Sequence, residues 1–130
     1  AAIAEQYGTP VYIYSEATLL RHLKELQTAF AEANPIICYS VKANGNLSIA
    51  KLMADHGAGF DVTSGGEFYR AIKAGNAQSK IVFAGVGKTD REIEYALKNN
   101  VYLFDVESEE ELHAIGRVAE RLGVVANVAL

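Results

Sequence analysis

The chain has 130 residues, half of them hydrophobic and 22% charged, which is enough to enclose one core in a globular domain. A formal charge of −4 excludes the basic face that nucleic-acid binding requires. Cys38 is the single cysteine, which excludes an internal disulfide and a cysteine-based zinc site.

No apolar run approaches the ~20 residues that cross a bilayer. The opening Ala1-Ala2-Ile3-Ala4-Glu5-Gln6 lacks the basic start and apolar block of a signal peptide. The expectation is a cytoplasmic protein with neither a membrane nor a nucleic-acid partner.

In chain order, Val11-Tyr12-Ile13-Tyr14 reads as a short strand after Thr9-Pro10. Residues 15–33 read as a helix, with Leu19, Leu23, Leu26, Phe30 and Ala33 at helical spacing and Pro35 closing it. A regular alternation follows. Strand-like runs at 36–41, 59–62, 81–84, 101–104 and 124–130 start about 20 to 23 residues apart, room for a strand, a helix and two loops. The helices between them are expected at 47–56, 67–74, 90–98 and 108–122, with Ile49, Leu52, Phe68, Ile72, Ile93, Leu97, Leu112 and Ile115 among their apolar residues.

Ser64-x-x-Glu67, Thr89-x-x-Glu92 and Ser108-x-x-Glu111 have the form of capping boxes, and Gly57, Gly75 and Gly123 stand where a left-handed C-cap is wanted. Repeated strand–helix units form either an open doubly wound sheet or a (β/α)8 barrel. Both architectures build their sites just after the strands. Periodicity leaves the two open. The 11–14 run is out of step with the repeat and points to a different sheet.

Lys42 ends the apolar run Ile36-Ile37-Cys38-Tyr39-Ser40-Val41 and precedes Ala43-Asn44-Gly45-Asn46. Position alone favours a strand-end lysine snorkelling to solvent. The alternative is a desolvated amine nucleophile that forms an imine. Asp61, in Phe60-Asp61-Val62, reads equally as a turn aspartate or as a carboxylate paired with a cation at the neighbouring strand end. Thr63-Ser64-Gly65-Gly66-Glu67 enters a helix whose amides can bind an anion. Ser64 is better read as a cap, and Glu67 serves either role.

Gly85-Val86-Gly87-Lys88-Thr89 is not a P-loop, because the required first glycine falls on Val82. Lys88 is expected at a strand end or on the surface. His22, His56 and His113 do not cluster, and Cys38 reads as a small buried hydrophobe.

The order of these pieces is more specific than any one of them. Gly8-Thr9-Pro10-Val11-Tyr12-Ile13-Tyr14, Tyr39-Ser40-Val41-Lys42-Ala43-Asn44 and Gly59-Phe60-Asp61-Val62-Thr63-Ser64-Gly65-Gly66-Glu67 together resemble the fold-type III pyridoxal-phosphate decarboxylases. The diaminopimelate-specific branch is the nearest fit. Ile81-Val82-Phe83-Ala84-Gly85 and Asp105-Val106-Glu107-Ser108 continue the pattern in register.

The resemblance implies an α/β fold, a partial (β/α)8 TIM-type barrel with about five of eight strands at residues 15–130. Residues 1–14 would be a strand segment belonging to a second β-domain outside this chain. It implies that Lys42 carries pyridoxal 5'-phosphate and that Asp61 and Glu67 line the cofactor pocket. It also implies decarboxylation of an amino acid, meso-diaminopimelate to L-lysine plus CO2, in a homodimer with its sites at the interface. The related ornithine, arginine or carboxynorspermidine decarboxylases and a non-catalytic regulatory relative are the alternatives. The groups for the phosphate and the pyridine nitrogen would lie beyond Leu130, so this chain alone is expected to be inactive.

Overall fold

The computed structural model describes residues 2–75 and 80–130. Among these residues five strands form a single parallel sheet: β1 (Cys38–Ser40), β2 (Gly59–Val62), β3 (Ile81–Phe83), β4 (Leu103–Asp105) and β5 (Val128–Ala129). Their spatial order is β1-β2-β3-β4-β5, with no reversal. A doubly wound sheet must reverse its order at a switch point, whereas a barrel adds each strand to the same side of the last. The five strands are therefore an arc of a (β/α)8 barrel.

The helices are α1 (Ala2–Tyr7), α2 (Glu16–Ala29), α3 (Leu47–Asp55), α4 (Gly65–Ala74), α5 (Asp90–Lys98) and α6 (Glu109–Leu122). From α3 to α6 they pack side by side in chain order. The core lies between them and one face of the sheet. Phe60, Val62, Ile81, Phe83 and Phe104 from the strands meet Phe68, Ile93, Ile115 and Val118 from the helices. Phe83 stacks on Phe68 and on Phe104, each at 5.9 Å between ring centres, and Tyr95 meets Phe68 edge-on at 5.5 Å. Burying each of these phenylalanines contributes roughly 1.5–3 kcal/mol. The strand residues between them, Asp61 and Val82, are only half-buried and belong to the opposite face.

At Gly59 the backbone of the next strand comes close. A Cβ there would lie 2.3 Å from the Lys80 carbonyl oxygen and 3.1 Å from Cys38 Sγ, so no side chain fits at the start of β2.

Several boundaries differ from the sequence expectation. β1 stops at Ser40 because Val41–Ala43 winds into a 3-10 turn. β5 is cut to Val128–Ala129 because residues 123 and 124 close α6: Gly123 adopts φ +66, and Val124 N donates to Ala119 O. The long first helix ends at Ala29, followed by a 3-10 turn at Ala31–Ala33 and a left-handed Asn34.

Only Thr89 and Glu92 form a full reciprocal capping box. Ser64 and Ser108 do cap α4 and α6, but Glu67 and Glu111 reach one residue further back, to the amides of Thr63 and Glu107. The strand expected at 11–14 is extended but pairs with no strand among the described residues, and a short helix, α1, precedes it. An extended run without a ladder partner keeps its amides in solvent, and Tyr12 is 87% exposed.

Candidate active site

The carboxyl ends of β1 and β2 carry the residues singled out from the sequence. Val41 is buried in the core and anchors the 3-10 turn, whereas Lys42 next to it is exposed. The loop that follows is held at several points. Tyr39 Oη donates to Asn44 O at 3.0 Å, Asn46 N donates to Asn44 Oδ1 at 3.0 Å, and Asn46 caps α3 by accepting from Ser48 N at 2.9 Å. Arg70 Nη1 donates to Gly45 O at 2.9 Å. Lys42, Asn44, Gly45, Asn46, Glu67 and Arg70 line one open depression together with Val41. No ion pair among the described residues involves Lys42.

Glu67 is oriented rather than loose. Its Oε2 accepts from Thr63 N at 2.7 Å and from Thr63 Oγ1 at 3.1 Å, while its own amide donates to Ser64 Oγ at 3.2 Å. It therefore helps to cap α4 and also lines the depression. Asp61 pairs in register with Ser40, whose Oγ donates to Asp61 Oδ2 at 2.9 Å. The structure thus brings Lys42 and Glu67 into one depression. Asp61 lies on the neighbouring strand end, outside the depression's lining and tied to the residue two before Lys42.

The Gly65-Gly66 turn does not offer its first amide to an outside anion, because Gly65 N donates to Glu92 Oε1 at 2.8 Å. This supports the structural reading of the turn. Burial pushes the Glu92 carboxyl up, but hydrogen bonds from Gly65 N, Thr89 N and Thr89 Oγ1 outweigh it and hold the pKa below the ordinary value. A carboxyl lowered in the fold contributes stability above its unfolded pKa, about 4.3, and that contribution is lost as pH falls through the lower folded value. Glu92→Gln should therefore flatten the acid limb of thermal midpoint against pH below about pH 5. An acid limb as steep as the parent's would contradict this.

Lys88 is neither at the surface nor in solvent. Its side chain is fully buried, and Nζ donates to Gly85 O at 2.9 Å, Asp105 O at 2.7 Å and Glu111 Oε1 at 2.5 Å. Glu107 adds a further tie by accepting from Gly85 N at 3.0 Å. Of the two expected placements, strand end or surface, the surface one failed because Lys88 and Glu111 are 23 residues apart and meet only once β3 and β4 lie side by side. Ser40 and Arg70 were also missed. The strand starts read from the sequence, 36 and 59, put Ser40 and Asp61 at unequal offsets, and only the observed register pairs them; Arg70 had no local signal.

Cys38 is half-buried. Burial raises its thiol pKa, and the charges of Asp61 and Asp105 raise it further, so it stays protonated at neutral pH. His22, His56 and His113 are exposed and apart, and no metal-binding cluster occurs among the described residues.

An unpaired primary amine at a strand mouth, with an oriented carboxylate in the same depression and a second at the adjacent strand end, is a donor set that fits an aldehyde-bearing cofactor. A model of the pyridoxal-dependent decarboxylases, for their pyridoxal binding domain, matches residues 16–130. The chain is 51% identical over 128 residues to diaminopimelate decarboxylase of Neisseria meningitidis serogroup A, covering 98% of this chain and 32% of that protein. It is 47% identical to the Vibrio cholerae enzyme of the same name, covering 100% of this chain and 31% of the relative.

The crystal structure of diaminopimelate decarboxylase from Helicobacter pylori complexed with L-lysine superposes with a TM-score of 0.94 at 41% identity, over 98% of this chain and 32% of that one. The lysine/ornithine decarboxylase of Vibrio vulnificus, at 24% identity and a TM-score of 0.83, shares the fold. The chain spans about a third of the length of these relatives. It belongs to the pyridoxal-dependent decarboxylase family and corresponds to part of that family's pyridoxal-binding barrel.

Proposed function

We propose that this chain is part of a longer pyridoxal 5'-phosphate-dependent carboxy-lyase that converts meso-diaminopimelate to L-lysine and CO2. The observation that carries this reading is the Lys42 amine, in no ion pair among the described residues and set in one depression with Glu67 at the mouth of the first barrel strands. The 51% identity to a diaminopimelate decarboxylase across nearly the whole chain supports the substrate.

When bound, the cofactor supplies the electron sink that accepts the pair released as the substrate carboxylate leaves. Lys42 Nζ is the group that would hold the cofactor through its aldehyde, and as a free amine it could hold or pass on a proton at the same depression. Asp61, oriented by Ser40, and Glu67, oriented by Thr63, would offer negative charge to the cofactor from β2 and α4. Val41 and the aromatic core beneath the strand ends keep the backbone of the Lys42 turn rigid.

The same reading makes the full enzyme a cytoplasmic homodimer with its sites at the subunit interface. It also assigns residues 1–14 to a strand segment of a second β-domain and residues 15–130 to the barrel. No helix among the described residues is long and apolar enough to cross a membrane. The test is CO2 release by the full enzyme from a panel of meso-diaminopimelate, ornithine, arginine and carboxynorspermidine. Turnover of diaminopimelate at least ~100-fold above the others in kcat/KM is expected, well within what a site that hydrogen-bonds a substrate's polar group can achieve, ~10⁴-fold or more. Preference for another member would reassign the substrate, and no turnover with any would favour a non-catalytic regulatory relative.

A further inference from the structure

Lys42 and Glu67 belong to different strand–helix units, and something must keep them in register. The turn and loop from Val41 to Asn46 are fastened mostly from within their own unit, through Tyr39 Oη to Asn44 O and through the Asn46 cap on α3. Among the described residues, one side-chain hydrogen bond joins this loop to α4, the helix that carries Glu67: Arg70 Nη1 to Gly45 O at 2.9 Å. Arg70 also lies close over Gly45, since a Cβ at that position would sit 3.5 Å from Arg70 Cδ and 3.8 Å from Nε. Arg70 follows Glu67 by three residues on α4, close to one helical turn, so the two side chains lie on one side of the helix. Both line the depression that contains Lys42.

We propose that Arg70 is a positioning residue that locks the Lys42 loop to α4 and thereby sets the Lys42 amine against the Glu67 carboxylate. The inference rests on the cofactor reading of Lys42. The physical basis is the planar guanidinium, whose Nη1 holds the Gly45 carbonyl with little loss of freedom for the bond, combined with the sensitivity of covalent capture to small displacements. Arg70 is exposed, so its replacement leaves the core intact. A loosened loop would spread the Lys42 amine over several positions, and fewer of them would meet the cofactor aldehyde.

The test compares Arg70→Met and Arg70→Lys in the full enzyme, with Lys42→Ala as reference. Three quantities are read: the dissociation constant of apoenzyme for pyridoxal phosphate, the long-wavelength absorbance of lysine-bound cofactor, and the thermal midpoint of the apoenzyme. Arg70→Met should weaken cofactor binding about tenfold and reduce the absorbance at sub-saturating cofactor, with the apoenzyme midpoint within about 2 °C of the parent. Arg70→Lys should recover part of the binding, because an ammonium can still reach the carbonyl. Unchanged cofactor affinity in Arg70→Met would overturn the proposal, and so would a loss fully accounted for by a lowered midpoint. Retention of the absorbance in Lys42→Ala would overturn the underlying cofactor reading instead.

Discussion

Replacing Lys42 by alanine in the full enzyme is expected to remove the long-wavelength absorbance of lysine-bound cofactor and to reduce kcat by at least ~10³-fold. That factor corresponds to about 4 kcal/mol of barrier, within the range for losing a covalent anchor and a nearby proton carrier together. Lys42 is exposed, in no ion pair among the described residues and outside the hydrophobic core, so the fold should lose little. The midpoint of the Lys42→Ala apoenzyme should stay within ~2 °C of the parent, since surface substitutions usually change stability by about 0.5 kcal/mol or less. Separating chemistry from folding in this way makes the result decisive. A variant that kept the absorbance would remove Lys42 from the site, and one that unfolded would make its role structural.

The second large effect concerns stability, at Lys88. Lys88→Met keeps most of the volume but leaves the Glu111 carboxylate and the carbonyls of Gly85 and Asp105 without the buried ammonium. Breaking one half of a buried pair costs about 3–5 kcal/mol, because the remaining charge is stranded away from water. For a protein of this size class the thermal midpoint should fall by roughly 10 °C. The double change Lys88→Met with Glu111→Leu should recover part of that loss, since removing both charges also removes the stranded one. A midpoint drop of under ~2 °C in the single variant would mean that water already reaches the pair.

The alternation of strands and helices was legible because it depends on local periodicity. The starts of α3 and α5 and the extent of β2 fall where the apolar spacing and the caps place them. Boundaries moved where a backbone event competed with the side-chain pattern, as when the turn at Val41–Ala43 shortened β1 and the closure of α6 at Gly123 consumed the start of the last strand run. The extended run at 11–14 has β-forming residues but no ladder partner among the described residues, and propensity cannot supply one.

At the site, the motif around Lys42 and the cap at Ser64 with Glu67 are written in short stretches of chain, so the sequence alone determined that the candidate amine and the Glu67 carboxylate follow strands, with Asp61 inside the second one. It also determined the repeated βα unit, through spacing. The tertiary structure decided the rest. Strand order selected a barrel arc over a doubly wound sheet. Parallel register joined Ser40 to Asp61, and packing of neighbouring units buried Lys88 against Glu111 and set Arg70 on the loop of Lys42. The physical reason is range. Caps and periodicities act within a helical turn or a strand, whereas these contacts join residues 21 to 25 positions apart that meet only when successive units lie side by side.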